Sequence, residues 1–196
     1  MLTVGWFSTG RGKGSMELFQ RTIQAIRSGE LAARILFVFC NRDPGESNGS
    51  DEFMALVASY DIPLITFSSN KFRERLAGSS RLEIRTQFDR EVMRRIGAYN
   101  PDKCMLAGYM LIIGPEMCEK YCMLNLHPAL PNGPIGTWQN VIWKVIQDQH
   151  THHGATIHLA TPELDQGPAL SYVQFPIRGP VFEPLWLEIN RQPITG

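Results

Sequence analysis

The amino-acid sequence predicts an α/β protein with a mostly parallel, twisted sheet that carries helices on both faces. Short apolar segments alternate along the chain with segments of helical periodicity, and this alternation is typical of parallel sheets. Residues 35–39 form a continuous apolar run, as expected of a strand that is covered on both faces. The 196 residues, 43% of them hydrophobic and 19% charged, suit a single globular domain.

The individual elements follow from the apolar pattern. The strands are predicted as short apolar runs, at positions 2–8, 31–40, 62–67, 103–107, 123–126, 155–161 and 169–176. The helices are predicted from their apolar spacing, at positions 16–28, 51–60, 82–99, 116–121 and 137–147. The glycine-rich segment 9–15 is predicted as a turn, and residues 69–80 as irregular. One domain over residues 1–196 is expected, with a less regular tail from about residue 180 and a truncated C-terminus left open.

Charge and cysteine usage restrict the class of partner. Basic and acidic residues number 19 each, so the zero net charge gives no general attraction to nucleic acid or membrane. No apolar segment reaches the roughly 18 residues of a membrane span, and no signal peptide is recognised. The four cysteines, in or beside apolar segments, indicate free thiols in a reducing compartment and lack the spacing of a metal site. We therefore expect a cytoplasmic protein with small-molecule substrates and no metal, and leave a homodimer open.

The first candidate site lies between the first strand and the first helix. Glycines let the backbone approach a ligand closely, and the start of a helix attracts anions. The spacing matches neither the dinucleotide-binding motif nor the P-loop, so a phosphate site and a plain tight turn both stay open from the residues alone. The residues concerned are Gly12, Lys13, Gly14 and Ser15.

The second and third candidate sites combine groups suited to acid–base chemistry. Asn125 and His127 alternate at the end of a predicted strand, so their side chains share one face and can together hold an oxyanion. Asp165 lies in a loop that follows the strand containing His158, and it can accept a proton or hold an imidazole in its charged form. The alternative readings are a hydrogen-bonded histidine at a strand end and a solvated turn.

These segments, in their order and spacing over residues 4–175, resemble the formyltransferase family that uses 10-formyltetrahydrofolate. Within that family, the chain most resembles the phosphoribosylglycinamide formyltransferase branch. The motifs that carry the resemblance follow the glycine-rich loop in the order Leu106-Ala107-Gly108-Tyr109-Met110, Asn125-Leu126-His127-Pro128, Gly154-Ala155-Thr156-Ile157-His158 and Asp165-Gln166-Gly167-Pro168.

The resemblance implies a Rossmann-like formyltransferase fold and a role for each matching residue. Asn125, His127 and Asp165 match the catalytic trio of the family. Gly12, Lys13, Gly14 and Ser15 match the loop that holds the substrate phosphate, and Arg85 matches a phosphate-binding arginine. The residues that match the donor site are Met110, Leu111, Ile112, Ile113, Thr161, Pro162, Glu163 and Leu164. The implied formyl donor is 10-formyltetrahydrofolate, without a metal, and the implied acceptor is glycinamide ribonucleotide in purine biosynthesis.

Departures from the family pattern in the glycine-rich loop, at Leu111, in the proline-rich loop (residues 128–136) and at the expected closing helix leave the acceptor amine open. Lys13 lies in a loop that has an altered glycine pattern, and Leu111 replaces the usual arginine after the methionine. One alternative is a formyltransferase for another amine, such as a nucleotide-linked amino sugar. Others are a hydrolase that releases formate from the folate and a non-catalytic folate- or nucleotide-binding relative.

Overall fold

The computed structural model describes residues 1–191, in which strands and helices alternate along the chain. The strands are β1 (Leu2–Ser8), β2 (Ala33–Cys40), β3 (Leu64–Thr66), β4 (Lys103–Leu106), β5 (Met123–His127), β6 (His152–Leu159) and β7 (Ala169–Pro176). The helices are α1 (Lys13–Arg27), α2 (Asn48–Ala58), α3 (Ser69–Arg75), α4 (Arg81–Arg95), α5 (Pro115–Lys120), α6 (Trp138–Gln147) and α7 (Glu183–Arg191).

The seven strands form one sheet in the order β3-β2-β1-β4-β5-β6-β7. β1 pairs in parallel with both β2 and β4, and β2 pairs in parallel with β3. β7 pairs antiparallel with β6. The prediction of a mostly parallel sheet with helices is confirmed.

The chain divides into two compact units, and the boundary falls within β5. Unit 1 comprises Met1–Leu124 and Ala160–Pro162, and unit 2 comprises Asn125–Leu159 and the chain from Glu163 onward. The single domain expected for residues 1–196 stays a prediction, and residues 192–196 of its tail lie outside the described part of the chain.

The core of unit 1 consists of two aromatic-rich clusters formed by alternate residues of β1 and β2. Phe7 packs with Phe37 and Phe39 in one cluster, whereas Trp6 packs with Val38 in the other. All five side chains are buried, because helices cover parallel strands on both faces. The apolar run of β2 is therefore continuous because both faces of the strand are covered, as the sequence predicted.

Unit 2 has a smaller core, which α6 forms with the loop after β5. Val141 and Val145 of α6 pack against Ala129. Gly154 of β6 has no space for a side chain, because a β-carbon there would overlap the carbonyl oxygen of Val173 on β7. The small residue therefore permits close pairing of the two strands.

The structure corrects three expectations about local structure. α1 begins at Lys13, three residues before the predicted start, so the second half of the glycine-rich segment is helical. The segment 69–80, predicted to be irregular, contains α3, and Ser68 caps this helix by accepting a hydrogen bond from the Lys71 N–H (3.1 Å). The tail from about residue 180 contains α7. α3 buries no side chain. α7 buries only Trp186, and its Leu185 and Leu187 are exposed.

Among residues 1–191, no helix has both the length and the apolar character needed to cross a membrane.

We predict that Gly12→Ala destabilises the protein, whereas Gly14→Ala does not. Gly12 precedes α1 with φ +95° and ψ 176°, a conformation that costs other residues about 1–3 kcal/mol. Both positions have open space for a β-carbon, and Gly14 lies within the helix, where alanine adds up to about 1 kcal/mol of stability. Urea unfolding of the two variants measures the difference. Equal stability of both variants would contradict the backbone argument.

Candidate active site

The second and third candidate segments, both in unit 2, meet at a buried carboxylate. Asn125 and His127 lie on β5, and Asp165 lies in the loop before β7. The Asn125 amide donates a hydrogen bond to Asp165 Oδ1 (Nδ2–Oδ1 3.2 Å), and His127 Nδ1 lies 3.6 Å from Asp165 Oδ2. The Asp165 side chain is only 6% exposed. The structure thus brings the three predicted catalytic residues into one cluster, and their catalytic role stays a prediction.

The backbone of Asp165 explains why the loop can deliver its carboxylate. Asp165 has φ +54°, in the left-handed region that aspartate tolerates better than most residues. Its Oδ2 accepts a further hydrogen bond from the Gly136 N–H (3.1 Å). A main-chain donor and a side-chain amide therefore hold its two oxygens in fixed directions.

His158 completes this cluster, although the sequence analysis assigned it no role. Its Nδ1 lies 3.0 Å from the Leu159 carbonyl, which can only accept, so Nδ1 carries the proton. Its Nε2, 3.0 Å from Asn125 Nδ2, then accepts the second amide hydrogen of Asn125. His158 ends the G-x-T-[IV]-H segment, and an irregularity in the β6–β7 pairing falls between Ile157 and His158. The match of residues 154–158 to this family motif was the sequence signal that could have identified His158 as a site residue.

The proline-rich loop after β5, residues 128–136, occupies the remaining hydrogen-bond donor of the cluster. His127 Nε2 lies 2.8 Å from the Pro134 carbonyl oxygen, so Nε2 carries a proton that it donates to this oxygen. Both amide hydrogens of Asn125 are also engaged, by His158 and Asp165. A ligand oxygen must therefore replace one of these acceptors before either residue can donate to it.

In unit 1, the start of α1 has the properties of an anion site. Gly12 precedes the helix and has no side chain to cap it, and the first turn contains no acidic residue. Lys13, Gly14 and Ser15 form that turn. Free N–H groups and the positive end of the helix dipole therefore favour an anion at this position.

Arg85 lies on α4 beside a buried carboxylate. Asp89, 4% exposed, accepts a hydrogen bond from the Gly114 N–H (2.6 Å). Burial raises the pKa of Asp89 to about 6, although the Gly114 N–H and the Arg85 charge act in the opposite direction. The Nε of Arg85 is buried and makes no hydrogen bond. An unpaired buried guanidinium donor of this kind favours binding of an acidic ligand.

The predicted donor segment in unit 1 alternates between core and surface. Met110 and Ile112 are exposed, whereas Ile113 is buried and Leu111 packs against the larger core cluster. Leu111 thus contributes packing where the family has an arginine. The Met110 N–H is already bonded to Thr9 Oγ1 (2.9 Å), so it is not free for a ligand.

The other predicted donor segment is divided by the unit boundary. Thr161 and Pro162 belong to unit 1, and Glu163 and Leu164 belong to unit 2. The side chain of Leu164 is exposed. Within residues 1–191, no group of three or more His, Cys, Asp or Glu residues is arranged to hold a metal ion.

The parallel sheet and the Asn–His–Asp cluster together define an α/β protein with a buried polar site. Residues 11–179 match the formyl transferase family, and the chain belongs to that family. The predicted resemblance is confirmed.

Individual relatives give the same result. The chain is 33% identical over 103 residues to the phosphoribosylglycinamide formyltransferase of Escherichia coli (strain K12), covering 50% of this chain and 47% of the relative. It is 27% identical over 161 residues to the enzyme of that name from Haemophilus influenzae, covering 81% and 67%. The chain spans about half the length of several curated relatives that it matches.

Solved structures share the fold. Glycinamide ribonucleotide transformylase 1 from Geobacillus kaustophilus superposes with a TM-score of 0.71 at 27% identity, covering 97% of this chain and 92% of that chain. The phosphoribosylglycinamide formyltransferase from Bacillus halodurans gives a TM-score of 0.72 at 22% identity, covering 96% and 88%. The second comparison supports the fold alone.

We predict that Asp89→Asn removes a pH-dependent part of the stability. The pKa of Asp89 is raised from its ordinary value of 3.8 to about 6. Between these two pH values the folded protein therefore retains a proton that the unfolded chain releases. This contribution is present below about pH 4 and is lost as the pH rises through 6, about 3 kcal/mol in all. Asparagine keeps an acceptor for the Gly114 N–H. Denaturant unfolding between pH 4 and 7 should therefore show a flatter profile for Asp89→Asn, and the wild-type profile for exposed Asp61→Asn.

Proposed function

We propose that this protein transfers a formyl group from 10-formyltetrahydrofolate to the primary amine of glycinamide ribonucleotide, in the purine biosynthesis of the cytoplasm. The observation that carries the proposal is the convergence of Asn125, His127 and Asp165 in a member of the formyl transferase family. The names of the relatives in two bacterial species support this acceptor. Its substrates are then small molecules, and neither nucleic acid nor a membrane takes part.

The reaction needs stabilisation of a negative oxygen. The bound folate supplies a formyl group whose carbon is open to attack by a neutral amine. As the new carbon–nitrogen bond forms, charge develops on the formyl oxygen, and the Asn125 amide and His127 Nε2–H are the donors that stabilise it. The bond to the folate nitrogen then breaks, and the amine's proton passes to that leaving nitrogen.

Asp165 has two tasks in this scheme. Its Oδ2, near His127 Nδ1, faces the positive charge of a doubly protonated imidazole. The same carboxylate accepts the amine proton, through water, and returns it to the leaving group. His158 and Gly136 position Asn125 and Asp165 by hydrogen bonds and do not react themselves.

The formyl oxygen has a defined acceptor to replace. His127 Nε2–H points to the Pro134 carbonyl, which holds the place of a ligand oxygen in the present arrangement. Substrate binding displaces this carbonyl, and the charge on the oxyanion makes the new hydrogen bond stronger than the old one. The difference stabilises the transition state more than the ground state.

The groups proposed to bind the acceptor phosphate and the pterin ring lie in unit 1. The first turn of α1, from Lys13 to Ser15, offers main-chain donors to the acceptor phosphate, and Arg85 offers a guanidinium. The exposed Met110 and Ile112 fit an apolar face of the pterin. Leu111 and Ile113, with Thr161 and Pro162 of the same unit, offer their main chain to that ring, and the match of Glu163 and Leu164 to the donor site stays a prediction.

We predict that His127→Ala and Asn125→Ala each lower kcat about 10²–10³-fold in formylation of glycinamide ribonucleotide, because each removes one oxyanion donor. The matched control is His152→Ala, since His152 is an exposed histidine of the same unit and its loss should leave kcat unchanged. The assay follows formyl transfer from 10-formyltetrahydrofolate. A wild-type protein that releases formate without an acceptor would favour the hydrolase instead, and binding of the donor without any transfer would favour a non-catalytic relative.

We predict that Arg85→Ala raises the KM for glycinamide ribonucleotide about tenfold or more, as expected for loss of a charged hydrogen-bond donor to phosphate. The KM for the folate should change little. Arg81→Ala, at the exposed start of the same helix, is the control and should change neither constant. An unchanged KM in Arg85→Ala would remove Arg85 from the acceptor site. If wild-type protein formylates another amine but not glycinamide ribonucleotide, the acceptor is wrong and the formyl transfer stands.

A further inference from the structure

We propose that unit 1 contains a second small-molecule site, which binds an anion carrying a planar aromatic ring, of the nucleoside monophosphate class. The site is a groove, here named the α3–α4 groove, made of two adjoining cavities of about 460 Å³ and about 250 Å³. The cavities share Phe67, Phe72, Arg75 and Arg95. Their volumes together lie within the range of small-molecule pockets.

The apolar side of the groove is an ordered aromatic cluster. Phe67 stacks on Phe88 with their ring centres 5.1 Å apart and an interplanar angle of 13°. Phe72 meets Phe67 edge-on at 5.3 Å. The Arg95 guanidinium lies over the Phe67 ring, 4.3 Å from its centre. Since Phe88 stacks on Phe67 and Arg95 lies over the same ring, the groove offers a flat ligand the guanidinium plane of Arg95 and the apolar Phe72 ring beside it.

The charged side of the groove carries an excess of cations. Four arginines and one glutamate line the larger cavity, in a chain whose formal net charge is zero: Arg75, Arg90, Arg94, Arg95 and Glu91. Arg94 and Arg95 share the single carboxylate of Glu91, and Arg90 pairs with Glu116 outside the lining. Even with Glu116 included, the four guanidinium groups of the larger cavity exceed the carboxylates by two, and the second cavity adds one ion pair, Lys71 with Asp43 (3.0 Å), which leaves this excess unchanged. The groove therefore attracts anions.

Helix ends account for part of this charge but not for the cavity. Arg75 lies in the last turn of α3, and Arg94 and Arg95 lie in the last turn of α4, where cations stabilise a helix. That stabilisation needs no adjoining aromatic surface. The second cavity also opens beside Thr66 and Ser68, at the carboxyl end of β3. Parallel sheets bind ligands at such strand ends.

The two sides of the groove select the ligand class together. Arginine guanidinium groups bind phosphate through two parallel hydrogen bonds, an interaction that a neutral ring cannot replace. The Arg95 guanidinium plane adds stacking and the Phe72 ring adds apolar contact, neither of which inorganic phosphate can use. Gln87, also in the lining, offers an amide to the edge of a heterocycle. The groove is distinct from the proposed acceptor site, because Arg85 lines neither of its two cavities.

The first experiment compares three probes by isothermal titration calorimetry on the full chain. We expect AMP to bind at least about tenfold more tightly than either adenosine or inorganic phosphate, because only AMP uses both sides of the groove. Equal binding of AMP and phosphate would overturn the proposed ring site, and so would an absence of AMP binding.

The second experiment assigns the site with three variants. Arg75→Glu should weaken AMP binding about tenfold or more, because it reverses a charge in the lining. Arg73→Glu makes the same change in the same last turn of α3, outside the lining, and should have a clearly smaller effect. Arg85→Ala should leave AMP binding intact. Circular dichroism checks that each variant is folded.

The outcomes separate this proposal from formyl transfer. Arg75→Glu should keep the wild-type rate of formylation, since Arg75 takes no part in it. Equal weakening by Arg73→Glu and Arg75→Glu would reduce the effect to general electrostatics and overturn the site. Loss of AMP binding in Arg85→Ala alone would move AMP to the acceptor site and also overturn it. Failure of the protein to formylate any amine would contradict the proposed function and leave the calorimetry unaffected.

Discussion

The carboxylate of Asp165 is the group on which the other polar residues of unit 2 depend. It fixes the Asn125 amide through Oδ1, accepts the Gly136 N–H through Oδ2, and lies within 3.8 Å of ring nitrogens of both His127 and His158. A buried charge of this kind is tolerated only with several partners. Removing it would leave donors of β5 and of the proline-rich loop without acceptors in a protected environment. The geometry of both histidines is therefore tied to one loop residue in a left-handed conformation.

Most of the fold could be predicted because it depends on burial. The two faces of β1 and β2 are both covered, so the sequence shows uninterrupted apolar runs, and the strands were found within a few residues of their observed ends. α3 was missed because it buries no side chain and so has no buried apolar face to recognise. α7 buries only Trp186 but is amphipathic, so its apolar pattern did permit its prediction. The early start of α1 was missed because glycines at positions 12 and 14 indicate a turn, whereas only Gly12 has the conformation that requires glycine.

The candidate site was predictable in its members but not in its hydrogen bonds. Alternation along β5 placed Asn125 and His127 on one face, and the family motifs brought in Asp165. The sequence could not show that His158 accepts from Asn125, because this hydrogen bond joins two different strands, 33 residues apart in the sequence. Nor could it show the unpaired buried Nε of Arg85, which arises from tertiary packing around Asp89 and Gly114.

The hydrogen bond from His127 to the Pro134 carbonyl makes the protein's own loop an internal competitor of its ligand. A loop that occupies the donor most of the time lowers the apparent affinity of the ligand by the fraction of molecules in which the donor is free. If the bound-loop state were favoured by about 1.4 kcal/mol, the observed dissociation constant would be about tenfold weaker than the intrinsic one. Substitutions near Pro134 can therefore tune affinity without changing a residue that contacts the ligand. An inhibitor that contacts only His127 would have to overcome the same loop.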